Sequence, residues 1–413
     1  MEYNLHTKDA YAALRITDFR RFISARFFLT LAVQMQSVIV GWQIYQLTHD
    51  ALSLGMIGIA EAIPFICVAL FAGHVADRVD RKKIILLSST IYFICAVGLL
   101  LISTSFHHML AAFGTLPIYF IIFITGLARG FISPAQSALA AQLVPRELFG
   151  NASTWNSVIW QIAAVTGPAI GGLVYGFVGV GPAYSVVAVL SAFSLIFLYF
   201  IKKKPMPEQT KEETIWQSLS SGIKFVFENQ IILSAISLDM FAVFFGGAVS
   251  VLPIFADQVL HTGAEGLGLL RAAPAVGAII MSLWQAYKPM FKYAGRNLLI
   301  CVFGFGVSMI IFALSKDFYL TLFILMISGA FDNVSVIIRA TIIQIYTPDE
   351  MRGRVSSVNG IFIGSSNELG SFESGVAAKL MGLIPSVIFG GSMTLAVVAV
   401  VRSWAPKLRK LKM

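Results

Sequence analysis

The chain has 413 residues, 57% of them hydrophobic and only 12% charged, against about 25% charged in a soluble domain. With a mean hydropathy of +0.80 it cannot cover the surface of a water-soluble fold, so the composition points to a polytopic membrane protein. The net charge of +9 would by itself suggest a nucleic-acid partner, a reading that the placement of the charge removes.

A membrane-crossing helix needs about 20 apolar residues. The polar opening, residues 1–21, gives way to an apolar run over 22–46 that is too long for a cleaved signal and reads as the first span. Further runs follow at approximately 53–73, 84–106, 115–139, 152–177, 180–201, 231–255, 264–286, 298–315, 319–345, 355–383 and 385–401. The longest polar break, 202–230, begins KKKPMPEQTKEET and splits the chain into a bundle over 1–201 and a second over 231–413. Its later part, IWQSLSSGIKFVFEN, is apolar at helical spacing and suits a helix on the membrane surface. The expected fold is all-α, with twelve transmembrane helices in two six-helix bundles.

Twelve spans put both termini on one side. Of the 30 Lys and Arg residues, 24 fall on that side: in the N-terminus, Arg78–Lys83, Arg146, 202–230, 287–297, Arg352–Arg354 and from Arg402 onward. The opposite loops hold only Lys316, and Arg26, Arg129, Arg271, Arg339 and Lys379 lie within spans. Positive residues stay on the cytoplasmic side, so both termini are expected there, in a bacterial inner membrane. Topology accounts for the charge, and no nucleic-acid partner is expected.

Chemistry outside the membrane has little support. Cys67, Cys95 and Cys301 sit in apolar runs without a CxxC or a histidine at ligand spacing, and read as small buried hydrophobes. No GxxxxGK[ST] loop and no Ser/His/Asp arrangement in a soluble setting appears, so neither an enzyme nor a cofactor or metal is expected.

An internal repeat supports the division. PRELFGNASTWN at 145–156 aligns with PDEMRGRVSSVN at 348–359, matching Pro, Glu, Gly, Ser and Asn at an offset of 203. The same offset carries Gly167 onto Gly370 and Gly172 onto Gly375. Parallel repeats related by an axis along the membrane normal are one known transporter plan.

GHVADRVDRKK, residues 73–83, resembles the loop 2–3 signature of the major facilitator superfamily, roughly GxxADRxGRRx, through Gly73, Asp77, Arg78, Arg81 and Lys82. Asp80 stands where the family has its second glycine. TGPAIGG resembles the superfamily's antiporter motif in helix 5, GxxxGPxxGG, through Gly167, Pro168, Gly171 and Gly172, with Ala163 replacing the first glycine. ARGFISPAQSAL and TPDEMRGRVSSVN resemble the branch that holds enterobactin exporters and macrolide or multidrug efflux proteins. The resemblance covers nearly the whole chain. It implies a cavity lined by spans 1, 4, 7 and 10, a substrate site between the halves, and an acid at Asp77 that helps lock a cytoplasmic gate against the start of helix 11, here Arg354-Val-Ser-Ser.

Charges inside a bilayer are costly and mark function or pairing. Five acids lie in the spans, Glu61, Asp239, Asp332, Glu368 and Glu373, against the five bases above. The resemblance places Arg129, Asp239, Asp332 and Arg339 around the cavity, with Gln34 as a neutral partner, and the repeat offset aligns Arg129 with Asp332. Asp332 and Arg339 share a helical face roughly 10 Å apart, too far to pair with each other. Asp239, Asp332 or Glu61 is the expected proton-coupling carboxylate. Arg26 and Lys379 are expected to snorkel toward the membrane surfaces.

Glu368 and Glu373 point about 140° apart on one helix and cannot both face the cavity. With Asn367 they suit a polar seam against helix 2 or 8, in a stretch rich in small residues. Gly167 and Gly171 form a face that lets another helix approach, and Pro168 removes a backbone donor.

The expected function is secondary active transport: proton-coupled export of a small amphipathic molecule, such as a drug or a siderophore-like metabolite, by a monomer in lipid. An importer or lipid-like substrate flippase of the same fold, or a non-transporting receptor or scaffold, are the alternatives.

Overall fold

A computed structural model of the protein describes residues 9–202, 215–287, 292–348 and 351–412. These residues form helices and no strand. The long helices are α1 (Thr17–Thr48), α2 (Ala51–Arg78), α3 (Arg81–Thr104), α4 (Leu116–Leu143), α5 (Phe149–Val178) and α6 (Val180–Tyr199). They continue as α7 (Gln230–Gly246), α8 (Ala264–Tyr287), α9 (Ala294–Leu314), α10 (Phe318–Tyr346), α11 (Arg352–Met381) and α12 (Leu383–Trp404). Among the described residues, eleven helical segments are long and apolar enough to cross a membrane on their own. The remaining long helix, α11, has 30 residues but carries Arg352, Arg354, Glu368, Glu373 and Lys379. Such a helix crosses a membrane only where protein neighbours face its polar groups.

Several helices begin where the sequence supplies a cap. The Asp80 carboxylate accepts from the Lys82 amide at 3.0 Å and starts α3. Where the superfamily signature has glycine, this chain therefore places an N-cap, which satisfies one of the otherwise orphaned amides of the first turn. Asn229 caps α7 through the Ile231 and Ile232 amides, and Asp317 caps α10 through the Leu320 amide at 2.7 Å.

The apolar run expected as a continuous span over 231–255 is broken. The α-helix stops at Gly246, a 3-10 turn covers Ala248–Val251, and a short helix resumes over Leu252–Gln258. Ser374 of α11 donates to the carbonyl of Gly247 at 3.2 Å, so the break is satisfied from within the protein. Irregular backbone is tolerated at membrane depth only under that condition.

The contacts gather the described residues into two compact units. One comprises those of Met1–Val40 and Ile63–Lys211, the other those of Gly41–Ala62 and Glu212–Met413. In the first unit α3 packs on α4 and α6, around a core that includes Phe19, Phe22, Ile85, Leu139 and Leu198. In the second, α9 packs on α10 and α12, around Leu238, Leu298, Val302, Ile338 and Val398. The same packing pattern thus recurs at the repeat. It extends to the ends of α5 and α11, which stop at Gly179 (φ +98°) and Gly382 (φ +91°), again 203 positions apart. Both glycines adopt a left-handed conformation that a side chain disfavours.

The linker helix Ile215–Glu228 does more than lie on a surface. Gly222 sits against the backbone of Arg354, whose guanidinium donates to Ser221 Oγ at 3.0 Å. Val226 is buried with Ile232, Ile236, Ile343, Val355 and Val358. The helix is packed on the start of α11.

Candidate functional site

Packing sets the charged residues. In the second unit α8 and α10 approach backbone to backbone where Gly277 faces Met326 and Gly329 faces Pro274, sites that exclude any side chain. Small residues let membrane helices come this close. Beyond Gly329, α10 presents first Asp332 and, two turns on, Arg339. Arg339 forms an ion pair with Asp239 of α7, and both side chains are buried. Asp332 shares a cavity of about 10 Å³ with Asp239, walled by Val243, Phe305 and Ser335. That is at the lower edge of the roughly 10–15 Å³ one ordered water needs. Two carboxylates and one guanidinium thus converge, leaving one negative charge uncompensated within the cluster. Burying an uncompensated charge costs several kcal/mol.

Glu368 lies within electrostatic reach of Arg271 on α8, and its backbone carbonyl faces Gly58 of α2. Glu373 is half-buried one and a half turns further on, and the exposed Asn367 donates to the Ile363 carbonyl of its own helix. Glu61 is half-buried on α2, in the part of that helix that belongs to the second unit.

In the first unit the partners differ. The Arg129 guanidinium lies 5.2 Å from the centre of the Phe65 ring, a cation–π contact. The stem of Gln34 lies over α5, where a Cβ on Gly167 would fall 2.6 Å from its own Cβ. Gly171 packs on the backbone of Met35 in the same way, and Pro168 and Gly172 are buried beside them. The helix that approaches TGPAIGG is therefore α1. In the second unit Gly370 lets α11 close on Val243 and Phe244 of α7, beside the break at Gly247. Arg26 donates to Asn156 of α5 at 2.9 Å.

Of the gate motif, Arg81 donates to the Ala138 carbonyl at 3.3 Å and Lys82 to the Tyr199 carbonyl at 2.9 Å. They tie the start of α3 to the ends of α4 and α6. The side chains of Gly73, Asp77 and Arg78 lie outside those described.

A second polar group, missed in the sequence, lies at the tip where α1 meets α2. Tyr45 donates to Asp257 at 2.5 Å, and Asp50 pairs with Lys379 at 3.3 Å. Gly55 meets Gly375 so closely that a Cβ on Gly375 would lie 2.7 Å from the Gly55 Cα. Lys379 is thus held by an acid. Asp50 lies between the spans. Burial raises its pKa, but bonds from the Ser53 amide and hydroxyl and the Lys379 ammonium outweigh that and hold it below its usual value. The charges counted inside the spans passed over Asp50 and Asp257 because both sit at helix ends; the acid-rich ends of otherwise apolar runs were the available signal.

The family described as transmembrane secretion effectors matches residues 8–413. An enterobactin exporter of Shigella boydii serotype 18 is 28% identical over 393 residues, covering 92% of each chain, and one of Escherichia coli O1:K1 is 27% identical over the same span. Among solved structures, a D-xylose–proton symporter superposes with a TM-score of 0.75 at 14% identity, over 96% of this chain and 99% of that one. A POT family transporter in complex with 5-aminolevulinic acid reaches 0.76 at 13%, over 95% and 96%. At such identities the structures speak for the fold alone.

Proposed function

The chain belongs to the transmembrane secretion effector family, and on that premise we propose that it is a proton-coupled exporter of a small amphipathic molecule of the siderophore class. Its seat is the bacterial inner membrane, with both termini in the cytoplasm. The observation that carries the coupling is the cluster of Asp239, Asp332 and Arg339, in which one carboxylate has no matching base. A proton taken up there cancels the surplus charge; its loss restores it. With Asp239 protonated, its ion pair with Arg339 is weakened, and the loss of that tie between α7 and α10 can bias one helix against the other. The break at Gly247 lies two turns beyond Asp239 on the same helix and gives that bias a hinge. The direction of transport is supported by the exporters that the chain resembles and by the buried TGPAIGG contact with α1.

Alternating access also needs a contact that opens. The tip Gly41–Ala62 is held in the second unit by Tyr45–Asp257, Asp50–Lys379 and the Gly55–Gly375 contact. We assign these to the closed state of the outer gate, with all three parting when the site faces outward.

The test is transport in everted inner-membrane vesicles from cells overproducing the protein. Energised vesicles are expected to accumulate enterobactin several-fold over control vesicles, and collapse of the pH gradient with nigericin should abolish the difference. Accumulation equal to control would contradict export of this class. Accumulation indifferent to nigericin would contradict proton coupling.

A further inference from the structure

We propose that the second unit carries a binding site for an anionic phospholipid of the cytoplasmic leaflet, between the start of α9 and the end of α12. A cavity of about 410 Å³ opens there, lined by Arg296 in the first turn of α9, Arg402 in the last turn of α12, and Arg409 in the short helix Pro406–Arg409. No acid lines it. Between the guanidiniums the wall is apolar, formed by Leu299, Ile300 and Phe303, and Ile300 and Phe303 are about half exposed. Three positive heads above an exposed apolar wall fit a ligand with a negative head and a hydrocarbon tail.

The depth agrees. Trp404 is exposed two residues beyond Arg402, and Tyr293 is exposed two residues before Gly295 with Lys412 5.4 Å from its ring. Aromatic side chains with wet polar edges collect at the headgroup level. The site is also rigid. Gly295 meets the carbonyl of Leu408 closely, its amide reaches the Leu411 carbonyl at 3.4 Å, and Leu408 is fully buried. The chain after α12 is thereby folded back over the start of α9, and Arg409 is held across from Arg296. Basic pockets between transmembrane helices bind anionic headgroups, each base contributing about fivefold near the surface. A free phosphate would use the bases but leave the apolar wall wet, so a diacyl lipid is the occupant. The assignment to the cytoplasmic leaflet rests on the orientation proposed above; the site itself does not.

Native mass spectrometry of the purified full-length chain tests it, titrating dioleoyl phosphatidylglycerol against dioleoyl phosphatidylethanolamine. The wild type should bind phosphatidylglycerol at least tenfold more tightly. The triple variant Arg296→Gln, Arg402→Gln, Arg409→Gln should lose that preference, while the triple Arg→Lys variant keeps most of it. A control with Arg15→Gln, Arg20→Gln and Lys224→Gln, removing as much charge elsewhere, should match the wild type. Equal binding of the two lipids by the wild type, an Arg→Gln variant within twofold of it, or an equal loss in the control would each overturn the site. Should the Arg→Gln variant fail to fold, salt decides within the wild type: phosphatidylglycerol retention must fall between 50 and 500 mM salt, and constant retention overturns the proposal. No gradient or transported substrate enters the measurement, so it stands or falls apart from the transport reading.

Discussion

The two units share a packing frame and differ in charge. In the first, TGPAIGG closes on α1 and the buried-helix cation, Arg129, rests on the face of Phe65. In the second, Gly370 closes α11 on α7 in the same manner, but the charges form an ion pair, Asp239–Arg339, with Asp332 across a small cavity. The repeat puts Arg129 and Asp332 at matching positions, so duplication kept the helix contacts and let the polar groups diverge. A scaffold of small residues is indifferent to which charges it carries. It can be retained while the polar groups of the two units differ.

The largest effect should come from splitting the ion pair. Arg339→Leu strands the buried Asp239 carboxylate, and removing one partner of a buried pair costs about 3–5 kcal/mol. Thermal unfolding in detergent should show a large drop for Arg339→Leu, a much smaller one for Arg129→Gln, and recovery of most stability in the double variant Asp239→Leu, Arg339→Leu. Equal losses for Arg339→Leu and Arg129→Gln would dissolve the contrast between the units.

Alanine in the glycine contacts should act alike in both, at about 1–3 kcal/mol for an overpacked site. Gly370→Ala drives a Cβ to 2.8 Å from the Phe244 carbonyl, and Gly171→Ala drives one to 3.0 Å from the Met35 carbonyl. Both should lower the unfolding temperature, Gly370→Ala by more. A neutral Gly370→Ala would remove the shared frame from one side of the comparison.

The smallest effect concerns pH at the tip between α1 and α2. A carboxylate held below its usual value contributes stability that is present above its unfolded pKa and lost as pH falls through the folded one. For Asp50 that loss lies below about 3.8. The Asp50–Lys379 pair should therefore stay intact through pH 5–8, and Asp50→Asn should leave the shape of the transport–pH profile in that window unchanged. A shifted profile would move the proton-sensing role from the cluster to the tip.

Much of the frame is legible in the sequence. Apolar runs set the helices, the excess of Lys and Arg set the expected sides, and the offset of 203 announced the repeat, down to the shared glycine ends that the structure adds at Gly179 and Gly382. The pairings were not legible. Asp239 and Arg339 are 100 positions apart, and nothing local says which base an acid in a membrane helix meets. The break at Gly247 hid inside an unbroken apolar run, with the Gly246–Gly247 pair and Pro253 as its local marks. Hydropathy registers burial but not the loss of helical backbone when a neighbour such as Ser374 takes up the freed carbonyl. Asp80 departed from the superfamily signature because a cap, visible only once α3 has a start, does the work there.

The central claim is that protons couple through Asp239 and Asp332. The direct measurement is enterobactin transport by the purified protein in liposomes, driven by an imposed pH gradient and compared with gradient-free exchange of labelled for unlabelled substrate. Asp239→Asn and Asp332→Asn should each reduce gradient-driven transport at least tenfold, and at least one of them should retain exchange. Gradient-driven transport at wild-type rates in both variants would contradict the account.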